Sequence, residues 1–185
     1  PPIDAAGKHV IVVGGGDTAA DCLGTANRQG AASVHLVEVV PEPPAVRDPL
    51  RNPWPTWPMI LRKGAAHEEG GRRLFGTAVK EFLGGDRLRA VRLVDVTVSA
   101  NFTITQVPGT ERELPADLVL LAIGFAGTEP GPLLEQAGLV RNRRGTIDCG
   151  EDWQTQVPGV FAAGDMRRGP SLVVWAIAEG RSAAA

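Results

Sequence analysis

Residues 8–13 end in four consecutive β-branched side chains, Val10-Ile11-Val12-Val13. An uninterrupted run of this kind suits a strand covered on both faces, as in a parallel sheet. Gly14-Gly15-Gly16 breaks the run. Residues 17–29 then read as a helix, and Gly30 stands where a helix C-terminus favours glycine. Residues 33–40 resume a strand pattern, so the first stretch of the chain predicts one βαβ unit.

The pattern then changes. Residues 41–58 carry too many prolines for regular strand or helix, and predict an ordered but irregular loop whose tryptophans pack. A short helix is expected within residues 59–69. Three strand patterns follow, 74–83, 88–98 and 102–107, separated by Gly84-Gly85-Asp86 and Ser99-Ala100-Asn101. They predict an antiparallel meander. Residues 116–123 form another buried-strand run that ends at Gly124. Beyond it, 127–131 read as loop, 133–137 as at most a short helix, 159–165 as a short apolar strand ending in Gly-Asp, and 171–185 as a helix preceded by Pro170. That helix reaches the last residue, so a truncated domain is expected.

Composition narrows the classes of function. The chain has 185 residues, 43% of them hydrophobic, and a formal net charge of -2. A mildly acidic chain is a poor partner for nucleic acid, which favours a basic surface. No apolar run approaches the roughly 20 residues that span a bilayer. The first residues lack the basic start and apolar core of a signal peptide. Cys22 and Cys149 form no C-x-x-C pair, which argues against an iron–sulfur cluster, a zinc site or a redox-active disulfide within this chain. Two such cysteines fit a reducing, cytoplasmic setting.

The chemistry-bearing pattern is Gly14-x-Gly16-x-x-Ala19, placed between a strand and a helix. Gly14 permits the tight turn, Gly16 lets the backbone approach a pyrophosphate, and Ala19 lets helix and strands pack closely. Free N–H groups around Gly15, Gly16, Asp17 and Thr18, with the helix dipole, would hold the phosphates. Glu38 lies at the end of the second strand, where a carboxylate accepts hydrogen bonds from the adenosine ribose. The plainer alternative for Glu38 is a solvated strand end. A carboxylate there welcomes a 2′-hydroxyl and repels a 2′-phosphate, and no cation adjoins it in sequence, so NADH is expected over NADPH. Arg47 and Arg51 are the nearest cations able to reverse that preference.

A second pattern, Phe161-Ala162-Ala163-Gly164-Asp165, delivers an aspartate to a strand end just before a helix. Such a carboxylate can accept hydrogen bonds from a ribityl chain. The helix start at Ser171, Leu172 and Val173 would turn its free N–H groups and positive dipole towards a flavin. The alternatives are a Gly-Asp turn and, for residues 172–175, a buried helix face.

Several stretches together resemble one family. They are Val13-Gly14-Gly15-Gly16-Asp17-Thr18, Asn52-Pro53-Trp54-Pro55, His67-Glu68-Glu69, residues 116–125, and residues 159–181 with Gly164-Asp165-Met166-Arg167-Arg168-Gly169 and Ser171-Leu172-Val173-Val174-Trp175-Ala176-Ile177. They resemble the C-terminal half of the glutamate synthase small subunit, and the proline–tryptophan loop resembles its NADH-using branch. The resemblance implies an α/β fold: a Rossmann-like three-layer NAD(P)H-binding domain over residues 4–124, with the antiparallel meander, and the C-terminal part of an FAD-binding domain over residues 125–185. It implies binding of NADH or NADPH and of FAD, with Gly124 at the junction. The rest of the FAD site and the iron–sulfur clusters would lie in the remainder of the small subunit. The implied activity is hydride transfer from NAD(P)H to FAD, feeding a glutamate synthase large subunit that makes glutamate from glutamine and 2-oxoglutarate. Such a transfer needs no side-chain acid or base, so cofactor-binding residues are expected and no catalytic or metal-binding ones.

The chain departs from the family at Gly64-Ala65-Ala66, where Asp-Tyr-Gly is usual, and residues 70–74 are shorter than usual. His67 and Glu68 read as structural, in solvated or loop-bracing roles. Two rival functions stay open at this stage: an electron-entry module serving another dehydrogenase, and a non-catalytic nucleotide-binding or docking module using the proline–tryptophan loop.

Overall fold

The elements of the first unit run β1 (His9–Val13), α1 (Asp17–Arg28), β2 (Ser33–Val37), α2 (Ala65–Glu68), β3 (Arg72–Leu74), β4 (Thr77–Gly84), β5 (Leu88–Val98), β6 (Ile104–Gln106), β7 (Arg112–Pro115) and β8 (Leu118–Leu121). A second unit, Gly124–Ala185, holds α3 (Pro132–Gln136), α4 (Asp165–Arg168) and α5 (Val173–Ala183). This computed structural model describes residues 3–185.

β1 lies inside a parallel sheet of order β3-β2-β1-β8, paired with β2 from His9↔Ser33 to Val13↔Val37 and with β8 from Val10↔Leu118 to Val13↔Leu121. Both faces of this sheet are covered, which is why the β1 run does not alternate. Val10 and Val12 pack on Ala19, Leu23 and Ala26 of α1. Ile11 and Val37 pack on the other face, against Val91 and Leu93 of β5. The helix, the parallel sheet and the antiparallel sheet make the three layers expected. α1 ends as its sequence requires: Gly30 has φ 81°, its N–H bonds the Asn27 carbonyl, and the Ala31 N–H reaches back to Ala26.

Several local expectations are corrected. The strand pattern of residues 74–83 is two strands in two sheets. β3 pairs in parallel with β2, the chain turns at Gly76 (φ 56°), and β4 then pairs antiparallel with β5. The meander is not a simple one, because β5 takes β4 on one edge and both β6 and β7 on the other. Residues 33–40 are strand only to Val37, and of residues 59–69 only Ala65–Glu68 are helical. Trp54 and Trp57 do not pack inward; they are 84% and 71% exposed, facing Arg47 and Arg62 at 5.9 and 4.2 Å.

In the second unit, residues 159–165 form no strand. Phe161 makes an isolated bridge to Gln154, after Gly159 with φ 78°. A small core gathers Leu134, Ile147 and Ala162. The last helix is shorter than its pattern, and of its side chains only Glu179 is buried, while Val173, Val174, Trp175 and Ile177 are exposed. Among the described residues no helix is long and apolar enough to cross a membrane.

Candidate functional site

The glycine turn sits at the C-terminal ends of β1 and β2, the edge of a parallel α/β sheet where ligands bind. Its three glycines are needed for three different reasons. Gly14 has φ 130°, and a Cβ on it would overlap the Ala122 carbonyl. A Cβ on Gly15 would overlap the Glu38 carboxylate. Gly16 caps α1 at φ -86°, which any residue adopts, and a Cβ there would meet no protein atom within 4 Å. That open side lies on the cleft at the start of α1. The first-turn N–H groups of α1 have no partner inside the helix and open on the same space. Ala19 is fully buried against the sheet, whereas Asp17 and Thr18 are exposed at the helix start.

Glu38 is not a solvated strand end. It is 6% exposed, its N–H donates to the Leu74 carbonyl at 2.9 Å, and its carbonyl accepts from Thr77 at 3.0 Å. Its carboxylate lies against Gly15; Arg73 donates to its Oε1 from Nε at 2.9 Å, and a terminal nitrogen of Arg73 stands in an ion pair with the same oxygen at 2.8 Å. A cleft of about 920 Å³ runs from Gly15, Gly16 and Asp17 past Glu38 to Arg62 and Lys63. The premise that no cation stands beside Glu38 is thereby corrected. The cations on the cleft are Arg62, Lys63 and Arg73, while Arg47 is bound to the Thr56 carbonyl and Arg51 stands 3.7 Å from Asp48. His67 braces the loop as expected, its Nδ1 accepting the Gly64 N–H at 3.2 Å. Burial, then the Arg73 charge, lowers its pKa, with Glu38 opposing.

The residues of the second pattern also gather. Asp165 opens α4, and its Oδ1 accepts from the Ser171 N–H at 3.2 Å and hydroxyl at 3.3 Å. Gly164 is buried with φ 65°, and a Cβ there would stand 2.9 Å from Ala176. A cleft of about 210 Å³ brings Phe125 and Thr128, just after Gly124, to Asp165 and Pro170. Thr128 lines that cleft, and its hydroxyl is buried without a protein partner. Leu172 and Val173, at the start of α5, are exposed rather than packed as a helix face.

Sequence reasoning missed Arg73 and Glu179. Glu179 is 5% exposed and accepts from the Gly164 N–H at 2.8 Å, from Arg168 at 2.9 and 2.6 Å, and from Arg167 at 3.2 Å. Burial raises its pKa, but the Gly164 N–H and the two guanidinium groups outweigh it, and the carboxyl lies below its ordinary value. A lone carboxylate in an apolar helix, downstream of an Arg-Arg pair, was the available signal.

The pyridine nucleotide-disulphide oxidoreductase family matches residues 2–180. The chain belongs to this family. Within the pyridine nucleotide-disulphide oxidoreductases, the chain is 53% identical over its whole length to a glutamate synthase [NADPH] small chain of Mycobacterium tuberculosis, of which it covers 38%. It is 44% identical over 97% of its length to glutamate synthase [NADH] of Saccharomyces cerevisiae, of which it covers 9%. The chain thus spans about two fifths or less of these curated relatives. Among solved structures, thioredoxin reductase of T. acidophilum matches 97% of the chain with a TM-score of 0.62 and 23% identity, over 51% of its own length. Mycobacterium tuberculosis FprA in complex with NADPH gives 0.62 and 17% over similar shares. These two share the fold. The family name mentions a disulphide, but Cys22 and Cys149 are free thiols in different units.

Proposed function

We propose that this chain is the nicotinamide-nucleotide part of an electron-entry subunit of the glutamate synthase type. On this reading residues 4–124 form the NAD(P)H-binding domain and residues 125–185 contribute to an FAD-binding domain. Bound NAD(P)H supplies a hydride and bound FAD accepts it; clusters outside this chain carry the electrons to a large subunit that makes glutamate. The setting is cytoplasmic. The observation that carries the reading is the cleft at the N-terminus of α1, lined by Gly15, Gly16, Asp17 and Glu38, in a chain of the pyridine nucleotide-disulphide oxidoreductase family.

The chain's own residues bind and orient. Gly14, Gly15 and Gly16 bring the backbone to the pyrophosphate; Asp17, Thr18 and Ala19 form the helix start behind it; Glu38 accepts from the adenosine ribose. In the second unit, the fit to a flavin rests on Asp165 on its cleft and on the open start of α5 at Ser171, Leu172 and Val173. A helix N-terminus there favours the negative charge that reduction places on the flavin ring. No side chain transfers a proton; positioning and electrostatic tuning carry the rate.

The test is anaerobic mixing of the full-length protein with NADH or NADPH while its visible flavin absorption is followed. Rapid bleaching by either nucleotide is expected. A full-length protein that purifies without flavin, or whose flavin neither nucleotide reduces, would refute the proposal.

A further inference from the structure

We infer that Arg73 is a positioning residue for nucleotide recognition, which aims one oxygen of Glu38 at the adenosine ribose. The inference rests on the reading of Glu38 as the ribose acceptor. Each nitrogen of the Arg73 guanidinium makes one contact inside the protein. Nε and one terminal nitrogen converge on Oε1 of Glu38 at 2.9 and 2.8 Å, and the other terminal nitrogen donates to the Arg62 carbonyl at 2.9 Å. The Phe75 ring lies 4.6 Å from its carbon, and the side chain is 18% exposed.

Two consequences follow from this geometry. Oε1 is taken by the protein, which leaves Oε2, the oxygen over Gly15, to accept from a ligand. The carboxylate cannot rotate away without breaking both bonds, so the acceptor is fixed before the nucleotide arrives. The bond to the Arg62 carbonyl holds the segment that follows the proline-rich loop, and Arg62 lines the same cleft. Lysine could not replace it, since one ammonium on a flexible stem cannot span the carboxylate and the Arg62 carbonyl in one plane.

The experiment is calorimetric titration of the full-length protein with ADP-ribose and with its 2′-deoxyadenosine counterpart. These ligands carry no hydride and read only the adenosine side. Wild type should bind ADP-ribose on the order of tenfold more tightly than the deoxy ligand, the worth of one hydrogen bond to a charged acceptor. In Arg73→Ala that ratio should fall close to one, as it should in Glu38→Ala, and Arg73→Lys should recover only part of it. A general loss of stability would weaken both ligands alike and leave the ratio unchanged. A wild-type ratio preserved in Arg73→Ala overturns the role of Arg73. A wild type that does not discriminate overturns the ribose reading of Glu38, and the inference with it. If Arg73→Ala fails to fold by circular dichroism, the Arg73→Lys ratio decides on the same terms: a lowered ratio supports the inference and a wild-type ratio overturns it.

Discussion

Two glycines of the turn, two residues apart, should fail in opposite ways. Gly16 has an ordinary φ of -86° and open space around its missing Cβ, so Gly16→Val meets no steric obstacle in the protein. Its cost to folding is that of a poor N-cap residue, about 1 kcal/mol. The Val side chain does fill the space in which a pyrophosphate would lie. Displacing two charge-assisted hydrogen bonds to N–H groups, at about 1.5 kcal/mol each on the low side, gives about 3 kcal/mol. That is roughly a hundredfold in Kd. Gly14→Ala is the converse. At φ 130°, with the Ala122 carbonyl in the way, the new Cβ forces β1 and β8 apart. We expect a loss of about 2–4 kcal/mol of stability, a melting shift of several degrees or more. Thermal melts by circular dichroism and ADP-ribose titration on the full-length protein measure both quantities for each variant. Wild-type affinity in Gly16→Val, or equal melting of the two variants, would refute this division of labour.

Three further outcomes are expected. NADH should reduce a dye through the full-length protein better than NADPH, but by a modest factor, because Arg73 already offsets the Glu38 charge; Glu38→Ala should improve NADPH on the order of tenfold, and a wild type that prefers NADPH would refute this. Leu23→Ala, which empties a site 1% exposed between α1 and the sheet, should cost about 2–5 kcal/mol by denaturant unfolding. Glu179→Gln should lower the melting temperature near neutral pH and lose its effect in acid; the depressed pKa means the carboxylate stabilises the fold above the ordinary glutamate value and ceases to as pH falls through the lower folded value, so a difference that persists in strong acid would count against it.

What the sequence disclosed follows from where the information is local. The β1 run, the glycine turn and the α1 stop at Gly30 are each dictated by a few adjacent residues, and they formed as read. The break at Phe75-Gly76 was hidden because residues on both sides have strand character, and only the pairing partner tells two sheets from one. Residues 159–165 are apolar enough for a strand but find no neighbour to pair with beyond one bridge. Glu38 was found by its spacing from the glycines. Arg73 was not, because it lies 35 residues away and meets Glu38 only through the β2–β3 pairing.

That same pairing has a mechanical consequence. β3 passes into β4 through two residues, and the first residue of β4, Thr77, donates its N–H to the carbonyl of Glu38. Among the described residues the antiparallel sheet lends no side chain to the cleft, yet it anchors the backbone that carries Glu38. With no slack between the sheets, neither can open alone without pulling on the other. Local fluctuation of the distant edge strands is cheap, but opening at Thr77 breaks its bond to Glu38 and loosens that side of the cleft as well. The first unit is therefore expected to open as one cooperative block, with its slowest amide exchange at the seam between the sheets.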